Sequence, residues 1–242
     1  VHDMIRGKKG SFDRIISSAK FSHEYSLLHK TRTTVAANTV ISGLNIDDAP
    51  RIAELVNSTP YFAVVWFQAV APVLYGKSRL VSRGNGEKSW FENSEYEDLW
   101  PKDKKTIVET YSTLIRYRES GYKMNNQVHR LEMHRDYFLD PHGKQTGVMC
   151  TAFKDLIIET TGDVYHCAIK NEKIGNIRAV PIDKIWNSEK SHHMKRQVIL
   201  CQESCHNLLN CGLPSDIKKD SGALNNVRQS IKTLDNSYSC EE

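Results

Sequence analysis

The placement of the cysteines constrains this chain more than any other feature. The first 149 residues contain none; five then fall between Cys150 and Cys211, and Cys240 stands alone near the end. Cys150 is followed by eleven residues, then Gly162, four more residues and Cys167. After a gap, Cys201, Cys205 and Cys211 follow with C-x3-C-x5-C spacing. Free cysteines are common in cores, but core packing imposes no such spacing. Clustered thiolates are soft-metal ligands, suited to iron–sulfur clusters or to zinc, and spacing alone does not separate the two. His166 and His206 each neighbour a cysteine and are secondary ligand candidates, whereas His192 and His193 read as a solvated helix face.

A disulfide scaffold is not expected. Val1-His2-Asp3-Met4 is polar and begins no export signal, so the thiols are expected to be reduced, in the cytoplasm. The 242 residues suffice for one large domain or two smaller ones. A net charge of +4 spread along the chain, with no dense Lys/Arg run, argues against nucleic acid as a partner. No apolar stretch has the length of a membrane span.

Periodicity organises the N-terminal part. Residues 11–29 predict a helix, with Ser11 at its cap and Phe12, Ile15, Ile16 and Ala19 at helical spacing. The run 33–41 predicts a strand buried on both faces, residues 45–57 a helix, and 62–70 a second buried strand ended by Pro72. Strand, helix and strand at this spacing form a βαβ unit and imply a parallel sheet. Residues 75–101 read as irregular, anchored by Trp90 and Trp100. Helices are expected over 104–119 and 125–138, with a turn and domain boundary at Asp140-Pro141-His142-Gly143-Lys144.

Beyond Cys150 the period changes. Residues 156–167 predict a hairpin turning at Gly162, Gly175-Asn176 a turn, and 182–197 one helix. Residues 213–242 are polar and read as a loose tail with one short helix.

Two further candidates emerge in the N-terminal part. Arg6 lies between Asp3 and the Gly7–Gly10 segment and reads either as an anion-binding guanidinium or as a surface ion pair with Asp3 beside a capped helix start. Asn38 sits inside an apolar strand and needs partners if buried. It is suited to a ligand at the strand's C-terminal end or to a local backbone bond.

These residues carry a resemblance. His-Asp-x-x-Arg-Gly-x-x-Gly-Ser-Phe-Asp at 2–13 resembles the segment after the third strand of radical S-adenosylmethionine (radical SAM) enzymes, and Thr33–Asp48 resembles their fourth strand and following helix. The C-x11-G-x4-C pattern, Gly175-Asn176-Ile177, Ile185-Trp186-Asn187-Ser188 and the Cys201/Cys205/Cys211 group are similar to a SPASM domain, the auxiliary iron–sulfur module of peptide-modifying and sulfatase-maturing members.

The resemblance implies a fold: α/β, the C-terminal half of a partial (β/α) TIM-like barrel over 1–145, a small cysteine-rich α+β SPASM domain over 146–213, and a polar tail over 214–242. It implies an oxidoreductase or maturase in which a [4Fe–4S] cluster on a C-x3-C-x2-C loop binds S-adenosylmethionine. Reductive cleavage then yields a 5′-deoxyadenosyl radical that abstracts hydrogen from a peptide or small-molecule substrate. The electron donor would be a flavodoxin or ferredoxin. Arg6 would meet the SAM carboxylate, Asn38 the ribose or carboxylate, and Val70 the adenine. Cys150 and Cys167, with two of Cys201, Cys205 and Cys211, would hold an auxiliary [4Fe–4S] cluster.

The C-x3-C-x2-C loop is not in this sequence. In the family it precedes the His-Asp segment, so the chain is expected to be a piece cut before Val1 that does not cleave SAM unaided. No cysteine lies between Cys211 and Cys240, which implies one auxiliary cluster, not two. The alternative from another class is a zinc-bound interaction module without catalysis.

Overall fold

The computed structural model describes residues 1–71, 90–92, 94–143 and 150–211, with the side chains of Asn207 and Cys211 excepted. The described residues through Pro141 form one compact unit, and those from His142 onward form a second.

The first unit opens with a single helical turn, α1 (His2–Ile5), and a long helix, α2 (Ser11–Leu28). Asp3 fixes the junction. Its carboxylate accepts from the backbone N–H groups of Gly10 (2.6 Å) and Phe12 (2.7 Å), two donors that the start of α2 leaves without a helical partner. Only Ala19 of α2 is buried; Phe12 and Ile15, expected on its inner face, are exposed, as are Phe21 and Leu28.

Strand β1 (Ala36–Ile41), helix α3 (Ala49–Ser58) and strand β2 (Val64–Ala69) form the expected βαβ unit, with β1 and β2 parallel and Asn38 opposite Trp66. A 3-10 turn, Ile46–Asp48, leads into α3, and Pro50 sits in its first turn, where no amide hydrogen is needed. Ile46, Ala49, Ala53 and Val56 give α3 its buried side. The far edge of β2 is also satisfied. Val65 pairs with Met124 in a parallel bridge, and the Asn126 side chain grips both backbone groups of Phe67 at 2.8 Å. This explains why the helix expected from residue 125 begins later, as α5 (Val128–Leu139): residues 124–126 are used as sheet edge.

Helix α4 (Lys104–Glu119) matches its expected bounds and is capped by Asp103, which accepts from Lys105 and Thr106. Helix α4 packs on α3 and α5. Ile41, Val65 and Phe67 from the sheet are buried in this unit together with Val56, Tyr111, Leu114, Leu131 and Phe138 from the helices. Trp100 meets Tyr137 and Phe138 edge-on, so it is an anchor as expected. Trp90 stands beside it.

One expectation is corrected. Strand β1 is not buried on both faces: Ala36, Asn38 and Val40 are exposed while Ile41 is buried. Among the described residues no strand pairs the second edge of β1. The parallel ladder supports a mixed α/β architecture, and no closed barrel is formed by the described residues. Pro72 and the tail over 213–242, Cys240 included, lie outside the described residues.

The second unit is small. Strands β3 (Ile157–Ile158) and β4 (Asp163–Tyr165) form the expected antiparallel hairpin, turning at Gly162 with φ +88°, a conformation that suits glycine. Gly175-Asn176, expected as a turn, is instead a third short strand, β5, paired antiparallel to β4. Its register is held by the Asn176 amide, which donates to the Thr161 carbonyl and to the Asp163 carboxylate.

The single helix expected over 182–197 is two: α6 (Ile182–Trp186) and α7 (Glu189–Ile199). The break follows from Ser188, which takes extended backbone and caps α7 by accepting from Ser191 N–H at 3.2 Å. Val164, Ile174, Ile185 and Met194, with Leu156 against them, make the core.

Candidate iron–sulfur site

Three segments of the second unit bring cysteines together. Cys150 precedes a 3-10 turn, Ala152–Lys154, that feeds β3. Cys167 lies two residues beyond the end of β4. Cys201 follows the C-cap of α7, and Cys205 precedes a π-helical turn, Asn207–Cys211. Cys150 and Cys167 are buried, Cys201 and Cys205 half-buried, and none of the four is in a disulfide. The side chain of Cys211 lies outside the described residues.

The electrostatics identify the four as one group. The Cys205 thiol is pushed up to about 12, first by burial and then by Cys150, Cys167 and Cys201, whose negative charges would oppose its own. The N–H of Leu208 acts in the opposite sense on the same sulfur. The N–H of Lys170 donates to the sulfur of Cys167 at 3.4 Å. Four such thiols cannot all ionise without a compensating cation, and soft metal centres supply that charge. Among the described residues no three Cys, His or carboxylate groups stand close enough to hold one metal ion.

The two neighbouring histidines are accounted for differently. His166 is fully buried; Nδ1 lies 2.8 Å from the carbonyl of Asp155 and Nε2 lies 2.7 Å from Ser191 Oγ. A carbonyl only accepts, so Nδ1 carries the proton and Nε2 accepts from the serine. Both nitrogens are engaged, so His166 is not a ligand. His206 accepts at Nδ1 from the Asn210 amide at 3.1 Å. Burial lowers the pKa of both rings, and both are neutral. His192 and His193 are exposed on α7, as expected.

In the first unit, Arg6 is exposed at the end of α1. Its expected partner, Asp3, is turned to the backbone of Gly10 and Phe12 and to His2, so the ion pair is not formed; the N-cap of α2 is Gly10 and not the expected Ser11, and the helix start is held by Asp3 instead. Asn38 lies inside β1, as expected, three residues before its end, and is exposed. Val70 follows β2, and its N–H donates to the carbonyl of Ile41. Alternation puts Asn38, Val40, Trp66, Gln68 and Val70 on one face of the sheet, opposite the buried Ile41, Val65 and Phe67.

Sequence reasoning missed Asp155, Ser191 and the amides of Lys170 and Leu208, whose partners are far away in sequence or belong to the backbone.

A comparison with family models matches residues 150–212 to SPASM, described as an iron–sulfur cluster-binding domain. That segment matches the SPASM domain that the resemblance of its motifs implied. No curated protein and no solved structure matches the chain.

Proposed function

We propose that residues 150–211 hold an auxiliary [4Fe–4S] cluster on Cys150, Cys167, Cys201 and Cys205, and that the chain works as part of a radical SAM oxidoreductase or maturase. The observation that carries the proposal is that four thiols, none in a disulfide, lie near enough for Cys150, Cys167 and Cys201 to act on the half-buried Cys205. The spacing alone suits an iron–sulfur cluster or zinc; what favours the cluster is the match of this segment to an iron–sulfur cluster-binding domain.

When bound, the cluster would supply one-electron chemistry or a site for substrate. The chain's own part is to bury the thiols, donate N–H groups from Lys170 and Leu208 to sulfur, and keep water away through Cys150 and Cys167. The parallel βαβ unit and the His2–Asp13 segment support the radical SAM half of the proposal. There, Asn38 and Val70 share a sheet face able to receive S-adenosylmethionine, with Arg6 for its carboxylate. The radical-generating cluster requires a C-x3-C-x2-C loop that these 242 residues do not contain. A peptide substrate, a flavodoxin- or ferredoxin-type donor and a cytoplasmic setting belong to the same proposal; among the described residues no helix is long and apolar enough to cross a membrane.

The test is anaerobic reconstitution with iron and sulfide. The proposal expects a brown protein whose iron and acid-labile sulfide are equimolar, and a marked loss of both in Cys205→Ala. A colourless protein with one tightly held zinc refutes it.

A further inference from the structure

The cysteine-bearing segments are far apart in sequence, and something must hold them in register before a cluster arrives. We propose that His166 is the positioning residue of the cluster site: a single buried imidazole that ties together the three segments carrying Cys150, Cys167 and Cys201. This inference rests on the iron–sulfur assignment above and extends it.

His166 is adjacent to Cys167 and fully buried. Its Nδ1–H reaches the Asp155 carbonyl at 2.8 Å. Asp155 ends the 3-10 turn that follows Cys150, a turn locked by Lys154 N–H to the Thr151 carbonyl (2.8 Å) and Asp155 N–H to the Ala152 carbonyl (3.2 Å). Fixing Asp155 therefore fixes the backbone that leads back to Cys150. On its other side, Nε2 accepts from Ser191 Oγ at 2.7 Å.

Ser191 is itself buried, in the first turn of α7, with its N–H held by the Ser188 cap. Helix α7 is rigid and delivers Cys201 at its far end, where Cys201 N–H still bonds the carbonyl of Val198 at 3.2 Å. Trp186 closes the third side edge-on at 5.4 Å between ring centres. Lys195 Nζ lies 3.5 Å above its indole and donates to the Trp186 carbonyl.

An apolar side chain would fill the same volume but make neither bond. Buried polar groups that are fully satisfied specify one arrangement, and outer partners of ligands set metal affinity by orienting the ligands. The role calls for a group that donates on one side and accepts on the other about one ring-width away, which neutral imidazole does.

The experiment compares the full chain with His166→Leu, His166→Asn and Ser191→Ala after anaerobic reconstitution. It measures cluster retention against a chelator, the EPR spectrum of the reduced cluster, and its midpoint potential. His166→Leu is expected to lose retention by about 10- to 100-fold, the range seen for outer-shell partners, and to shift both the spectrum and the potential. His166→Asn keeps a donor for the Asp155 carbonyl and is expected to recover part of the retention. Ser191→Ala leaves the Ser188 cap intact and is expected to weaken retention severalfold. A loaded wild type with an indifferent His166→Leu overturns the positioning role. If that variant does not fold, an unchanged Ser191→Ala overturns it instead. A wild type that takes up no cluster refutes the iron–sulfur assignment itself, which is a separate result.

Discussion

Gly175→Ala gives a sharp test of how the second unit is packed. A Cβ at Gly175 would lie 2.8 Å from Cγ1 of Ile185 and 3.0 Å from both Cδ1 and Cγ2, whereas carbon atoms attract best at about 3.5–4.0 Å. Ile185 is 2% exposed and enclosed by Val164, Ile174 and Met194, so it has nowhere to withdraw. Overpacking of this kind costs about 1–3 kcal/mol. Removing glycine's freedom in the unfolded chain returns about 0.4–1 kcal/mol, leaving a net cost of roughly 0–2.6 kcal/mol.

Ile185→Ala alone should cost about 2–5 kcal/mol. In the double variant the new methyl enters the space the isoleucine vacates, so the combined cost should fall short of the sum by about 1–3 kcal/mol. The assay is native-state hydrogen exchange at Ile174, whose N–H bonds the Val164 carbonyl at 2.8 Å. Its exchange in Gly175→Ala should quicken by up to about 80-fold. Slower exchange, or costs that add to within about 0.5 kcal/mol, would refute the reasoning.

Asn126→Ala strips both backbone groups of Phe67 of their partner in a buried setting, and thermal unfolding should show a loss of about 2–6 kcal/mol; a loss below about 1 kcal/mol contradicts the edge-sealing role. Acid should loosen the starts of α2 and α4. The N–H of Phe12 holds the Asp3 carboxyl, and the side chain of Thr106 the Asp103 carboxyl, below the ordinary 3.8. Their contribution is fully present above that value and is lost as pH falls through the lower folded values. Exchange at the two helix starts should therefore rise only below pH 3.8, and Asp3→Asn and Asp103→Asn should flatten that dependence; identical profiles in wild type and variants would count against it.

The sequence made some elements legible because one local rule decided them. The heptad-like spacing of Ile107, Tyr111 and Leu114 set α4 to the residue, and Gly162 set the hairpin turn. Errors arose where a distant partner outweighed the local pattern. Residues 124–126 look helical but serve the edge of β2 through Asn126, and Gly175-Asn176 looks like a turn but pairs with β4. Ser188 broke a helix that the period ran through, because its hydroxyl caps the next one. At the site, cysteine spacing pointed to soft-metal ligands without separating iron–sulfur from zinc, since ligand type and interval are local facts. Which thiols meet, and how His166 joins them, depends on the fold and could not be read from the spacing.

The proposed function rests on four particular thiols holding one cluster. Native mass spectrometry of the anaerobically reconstituted chain reads this directly, variant by variant. The account predicts the mass increment of four irons and four sulfides in the wild type and in Cys240→Ser, and its loss in Cys150→Ser, Cys167→Ser, Cys201→Ser and Cys205→Ser. A wild type carrying a single metal ion, or a Cys205→Ser chain that keeps the whole increment, would contradict it.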